Sequence, residues 1–141
     1  MAKSPTEVEL DVVSLSGEGL GGATLNERPI WIRNALPGER VIARILKRKG
    51  GNRFADGRLT DVTESKVAAN KDRVPSACEY FPRCGGCALH HMSAEAQLLH
   101  KQNNLLVELK RVEVEPGQWR QPSALVRSGY RRKARMGGRV V

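Results

Sequence analysis

No apolar run in this chain approaches the length needed to cross a bilayer, and its opening residues, MAKSPTEVELDV, lack the hydrophobic stretch of a secretory signal. A membrane partner is therefore set aside and the chain is placed in the cytoplasm. Cysteine is sparse, with three residues that all fall within ten positions. An odd, clustered set excludes a secreted disulfide framework and fits reduced thiols that bind something. The signatures HExxH, GxSxG and GxxxxGK[ST] are absent, and no two carboxylates stand in a recognisable acid and base setting. No catalytic residue and no residue for a small-molecule cofactor is assigned. Aromatic residues make up only 4%.

What the chain has in excess is positive charge. Lys and Arg number 24 against 15 Asp and Glu, a net charge of +9, which points to a polyanionic partner and first of all to nucleic acid. The surplus is uneven: residues 1–24 hold one base and four acids, whereas residues 127–141 hold six bases and no acid. With 141 residues and 40% hydrophobic content, the chain suits one folded domain, or a small domain with an appendage.

Val8 to Val13 alternate apolar and polar, the period of a strand with one buried face. Two short strands, at Ala23 to Leu25 and Ile30 to Ile32, follow around the polar turn Asn26 to Pro29 as a hairpin. The turn Leu36-Pro37-Gly38-Glu39 leads into the β-branched run Val41 to Leu46, and residues 53–64 read as a poorer strand. About five short strands thus fill the first 75 residues, and a small barrel is the natural closure. GEGLGG at Gly17 to Gly22 matches a dinucleotide fingerprint, but ATLNERPIW, which follows, has no helical period; the run is read as a strand connection. Ser93 is a candidate N-cap for a helix over 94–112, with Leu98, Leu105, Leu109 and Val112 on one face and Pro116-Gly117 as its stop. A further extended segment begins near Ala124. No cap or stop follows Arg139-Val140-Val141, so the chain is read as a piece of a longer protein.

Cys78, Cys84 and Cys87 form C-x5-C-x2-C in CEYFPRCGGC, where Gly85-Gly86 lets the backbone curl so that thiolates can reach one centre. A metal is the expected occupant. Zinc would need His90 or His91 as a fourth ligand, and an iron-sulfur cluster would need a fourth ligand from elsewhere. Because the two histidines are adjacent, at most one shares a site with the cysteines, and both are otherwise read as solvated residues ahead of the helix.

Two basic clusters are candidate nucleic-acid contacts. Lys47, Arg48, Lys49 and Arg53 surround a hairpin that also carries Phe54, and a basic barrel rim with an aromatic suits single-stranded nucleic acid. Arg131, Arg132, Lys133 and Arg135 form the denser cluster. With so few aromatics, phosphate contacts would dominate over stacking.

Taken in order, SLSGEGLGGA, NALPGE, VIARILKRK, CEYFPRCGGCALHHM and GYRRKARM resemble the S-adenosylmethionine-dependent RNA uracil-5 methyltransferases, in particular the branch acting on 23S ribosomal RNA. The resemblance covers nearly the whole chain. It implies a mainly β fold: a five-stranded OB-like barrel of the TRAM type over residues 1–72 for RNA binding, an iron-sulfur loop over 73–92, then a helix and the truncated start of a central RNA-binding domain over 93–141. It also implies that Cys78, Cys84 and Cys87 help to hold a [4Fe-4S] cluster whose fourth cysteine lies beyond Val141. The methyl-donor site and the catalytic cysteine lie beyond it too. This chain would then be inactive alone, a monomer with 23S rRNA as its partner and no protein partner implied. The rival reading is a free-standing RNA-binding module with a Cys3His zinc site.

Overall fold

The computed structural model describes residues 7–46, 53–59, 69–81 and 84–122, together with Gly129, Arg132 and Lys133. Among the described residues it is mainly β with one helix. Six strands run β1 (Glu7–Asp11), β2 (Ser14–Leu15), β3 (Gly21–Leu25), β4 (Arg28–Arg33), β5 (Arg40–Leu46) and β6 (Arg53–Leu59), followed by the helix α1 (Ala94–Arg111).

The alternation in the sequence sets which face each strand buries. Ile30 and Ile32 of β4 and Val41 and Ala43 of β5 point inward, while Arg44 of β5 points out. They meet Val12, Ala23, Ala35 and Ala55 in one core, and Val8, Leu10, Leu25 and Ile45 pack on its margin. Each of the large aliphatic side chains fully buried here stabilises the fold by about 1.5–3 kcal/mol.

The strands form one sheet in the order β1-β5-β6-β4-β3-β2, in which β4 and β6 pair in parallel and the other neighbours are antiparallel. The expected closed ring of five strands is corrected here: β1 and β2 do not pair, and the ladder is open. Its two edges are successive stretches of one segment, joined at Val12 and Val13. The crossing has a packing cause. Val12 turns into the core and its N–H donates to the Glu39 carbonyl at 2.9 Å, whereas the exposed Val13 donates to the Gly22 carbonyl at 2.9 Å, so the segment passes from the β5 side to the β3 side.

Asn26 and Glu27, both with positive φ (49° and 61°), form the two-residue turn between β3 and β4, the conformation whose twist suits a hairpin. The glycine run before β3 serves close approach. A Cβ on Gly21 would lie 2.8 Å from the Ala35 carbonyl oxygen and 2.9 Å from Val12 Cγ1, so the strand can cross the core only without a side chain there.

Helix α1 begins as expected at Ser93, whose Oγ accepts from the Ala96 N–H at 3.3 Å. Its end comes before Pro116. Glu113 takes a left-handed conformation (φ 58°) and donates to the Lys110 carbonyl at 3.1 Å, while Val114 donates to the Leu109 carbonyl at 2.9 Å, a Schellman stop with an apolar residue following it. The extended segment expected from Ala124 lies almost wholly outside the described residues.

These two backbone constraints predict substitutions of opposite sign. Gly21→Ala should destabilise the protein by about 1–3 kcal/mol through overpacking. Glu27→Gly should stabilise it by up to about 1 kcal/mol, because glycine adopts positive φ without steric cost. Urea unfolding of the two variants beside the parent checks both signs.

Candidate functional site

The cysteines sit on a loop closed at its neck by short-range pairing. Arg73 and Met92 form an antiparallel bridge, Val74 donates to the His91 carbonyl at 2.9 Å, and Ser93 donates to the Asp72 carbonyl at 2.8 Å. The neck is fastened to the sheet by charge. Leu36 to Glu39 form a turn with Gly38 at φ 82°, which directs the Glu39 carboxylate inward; that residue is 1% exposed. Arg73 grips it twice, Nε to Oε1 at 2.6 Å and Nη2 to Oε2 at 2.8 Å, and the backbone N–H groups of Leu36 and Asn70 donate to the same carboxylate at 2.8 and 3.1 Å. Arg73 also donates to the Asn34 side chain and carbonyl at 3.1 and 2.9 Å. Burial alone would raise the Glu39 pKa, but the hydrogen bonds from Arg73, Leu36 and Asn70 outweigh it and hold the carboxyl below its ordinary range. Nothing periodic in the sequence marks this pair, whose partners lie 34 residues apart.

The histidines correct the reading of two solvated side chains. His91 is 1% exposed and stacks on Phe81 with ring centroids 5.3 Å apart, and neither of its ring nitrogens makes a hydrogen bond among the described residues. Burial pushes its pKa down to about 4; the nearby Arg73 cation adds to that, against the pull of Glu39 and the Ala35 backbone. His90 is half-buried, and its Nδ1 lies 2.6 Å from Ser76 Oγ. That hydroxyl also donates to the Cys78 carbonyl at 3.2 Å and accepts from the Cys78 N–H at 3.2 Å, so His90, through Ser76, helps set the first cysteine's backbone.

Cys78, Cys84 and Cys87 are all exposed, reduced and on this one loop. Cys84 N–H donates to the Tyr80 carbonyl at 2.9 Å, which closes a turn ahead of the second cysteine, and Gly85 takes φ 72° just after it. Among the described residues no three His, Cys, Asp or Glu side chains are gathered closely enough to hold a metal ion. By type the donor set fits a thiolate-held centre: three accessible sulfurs on a loop whose ends are fixed. A cavity of about 170 Å³ lies between this loop and the sheet, lined by Arg33, Asn34 and Gly19 on one side and Phe81, Gly85 and Cys87 on the other.

Of the candidate nucleic-acid contacts, Arg132 and Lys133 are exposed, and Arg53 and Phe54 open β6. Lys47, Arg48, Lys49, Arg131 and Arg135 lie outside the described residues. Among the described residues no helix is long and apolar enough to cross a membrane.

A small β domain, a clamped loop of three thiols and a capped helix in one basic chain define it by fold as mainly β with a helix. Comparison with known proteins places it more narrowly. The chain is 41% identical over 128 residues to the 23S rRNA (uracil(1939)-C(5))-methyltransferase RlmD of Pseudomonas putida, covering 90% of this chain and 27% of that protein. It is 38% identical over 133 residues to the enzyme of the same name from Alcanivorax borkumensis, covering 92% and 28%. An uncharacterised RNA methyltransferase of Halalkalibacterium halodurans is 40% identical over 105 residues, covering 74% of this chain and 22% of its own length. No family model matches. The chain is thus related, over some nine-tenths of its length, to the 23S rRNA (uracil-C5)-methyltransferases, and it spans little more than a quarter of the length of these curated relatives.

The buried histidine predicts a pH dependence. Its folded pKa, about 4, is below the ordinary 6.5, so the unfolded chain binds a proton that the folded chain does not over that interval. Stability from neutral His91 is complete above pH about 6.5 and is lost as pH falls toward 4, by up to about 3 kcal/mol. Glu39 adds a loss in the same direction at lower pH, through its own depressed carboxylate range. Urea unfolding at pH 7, 5.5 and 4.5 should show the fall, and His91→Leu should flatten it above pH 4.5.

Proposed function

We propose that this chain is the RNA-recognition part of an S-adenosylmethionine-dependent methyltransferase that forms 5-methyluridine in 23S rRNA. The observation that carries it is 41% sequence identity across 90% of the chain to an enzyme of that name. Residues 1–72 act as a TRAM-type RNA-binding unit, residues 73–92 as an iron-sulfur loop, and residues 93–141 as a helix leading into a central RNA-binding domain.

The chain's own chemistry is then binding and orientation. Lys47, Arg48, Lys49 and Arg53, with Phe54, and the Arg131, Arg132, Lys133 and Arg135 cluster neutralise phosphates and place the RNA. Cys78, Cys84 and Cys87 would hold a [4Fe-4S] cluster with a fourth ligand from outside the chain, and that group when bound would fix the loop's conformation. The methyl donor and the group that attacks the uracil belong to the remainder of the enzyme.

Two measurements test this reading. Full-length protein purified without oxygen should be brown and should transfer a methyl group to C5 of a uridine in unmodified 23S rRNA; a colourless zinc protein without transfer contradicts the proposal. RNA affinity should also fall steeply with salt. Replacing Arg132 and Lys133 together by Ala should flatten the slope of log K against log salt by about 0.7 for each phosphate that is no longer neutralised. An unchanged slope would place the phosphate-binding surface elsewhere.

A further inference from the structure

Helix α1 meets the rest of the protein with its polar side. Gln97 Nε2 donates to the Met92 carbonyl at 3.0 Å, Asn104 Nδ2 donates to the Gly17 carbonyl at 3.0 Å, and Asn104 lies 3.1 Å from His100 Nε2. Residues 97, 100 and 104 are spaced by three and four and share one face. The apolar residues Leu98, Leu105, Leu109 and Val112 recur at intervals of seven, four and three on the other side of the cylinder. Leu105 is 51% exposed and Val112 65%, while Leu98 and Leu109 are half-buried; Leu99, Leu106 and Val107 farther round the helix are exposed as well, and the helix has no fully buried residue. Beyond its end the surface continues into a groove of about 570 Å³ lined by Leu106, Lys110, Glu113, Val114, Glu115 and Pro116.

An amphipathic helix on a water-soluble domain normally turns its apolar stripe inward, and the reverse orientation marks a surface made to be covered. We propose that the Leu98, Leu105, Leu109 and Val112 stripe is the docking face for the downstream, methyl-transferring part of the same polypeptide. The inference rests on the reading given under Proposed function. What favours this occupant is length: the chain spans 27% and 28% of the Pseudomonas putida and Alcanivorax borkumensis methyltransferases, so nearly three-quarters of such a polypeptide remains to be placed. A tethered partner also acts at a local concentration that a second copy in dilute solution cannot match. RNA is a poor fit, because the four residues at the centre of the stripe are aliphatic and offer phosphates no charge. So placed, α1 links the two parts directly: Asn104 holds the strand connection at Gly17, and the opposite face holds the remainder of the enzyme.

Hydroxyl-radical footprinting of full-length, RNA-free protein at low micromolar concentration, read by mass spectrometry, tests this without any substitution. Leu105 and Val112, exposed in this structure, should be labelled as weakly as the core residues Ile30 and Ile32, and roughly tenfold less than the exposed Val13. Labelling like that of Val13 overturns the proposal. Protection that appears only at high protein concentration points to a second copy, and protection that appears only with RNA points to RNA; either also overturns it. The methylation assay separates the two readings: an active enzyme with an exposed stripe loses this inference alone, whereas an inactive one with a protected stripe loses the assignment of function.

Discussion

The architecture depends on one buried ion pair. A carboxylate as enclosed as Glu39 is costly to remove from water, and its burial is sustained only because Arg73 and two backbone N–H groups occupy both oxygens. Arg73 is also the first residue of the neck that closes the cysteine loop. The bonds that close this neck all lie within residues 72–93, so they shape the loop without attaching it to the sheet. Attachment comes from Arg73 with Glu39 and Asn34, from Asn70 with Glu39 and Pro37, and from the approach of Leu89 to Gly19. Removing one charge of such a pair leaves the other buried without a partner, at a cost of about 3–5 kcal/mol, which is a large share of the stability of a domain this size.

This attachment gives the exposed thiols a defined position. The loop projects three sulfurs to solvent while Phe81 and His91 pack beneath it, and the cavity between loop and sheet brings Cys87 near Arg33 of β4. Ordering a long loop costs conformational entropy, and a fixed neck reduces what a bound group must supply. Helix α1 joins this unit through its polar side, by way of Gln97 and Asn104.

The sequence carried the parts governed by period and by local turn chemistry. Alternation around Val8, Ile30 and Val41 placed three strands to within a residue or two, and Ser93 marked the helix start because a hydroxyl there meets an otherwise unpaired N–H. The turn at Pro37-Gly38 was legible for the same reason. The ion pair was not: Glu39 reads as an ordinary turn residue and Arg73 as one base among 24 Lys and Arg. His91 was misread because adjacency says only that two side chains diverge, whereas the neck bond from Val74 to its carbonyl decides which one turns inward. The two-residue strand β2 and the open ladder follow from Val12 and Val13 facing opposite ways, a consequence of packing against Glu39 and Gly22 that a strict alternation pattern does not contain. The helix showed a clear apolar face in sequence, but which way that face points was settled by three polar residues, Gln97, His100 and Asn104.

If Glu39 and Arg73 make the sheet and the cysteine loop one cooperative unit, their amides must open together. Native-state hydrogen exchange of metal-free protein measures this at four sites: Leu36 and Asn70, which donate to the Glu39 carboxylate, and Val74 and Ser93, which close the neck. The account predicts that all four exchange through a common opening of similar free energy, with the same dependence on denaturant. Rapid exchange of Val74 and Ser93 while Leu36 stays protected would contradict it, showing that the loop is hung on the sheet rather than locked to it.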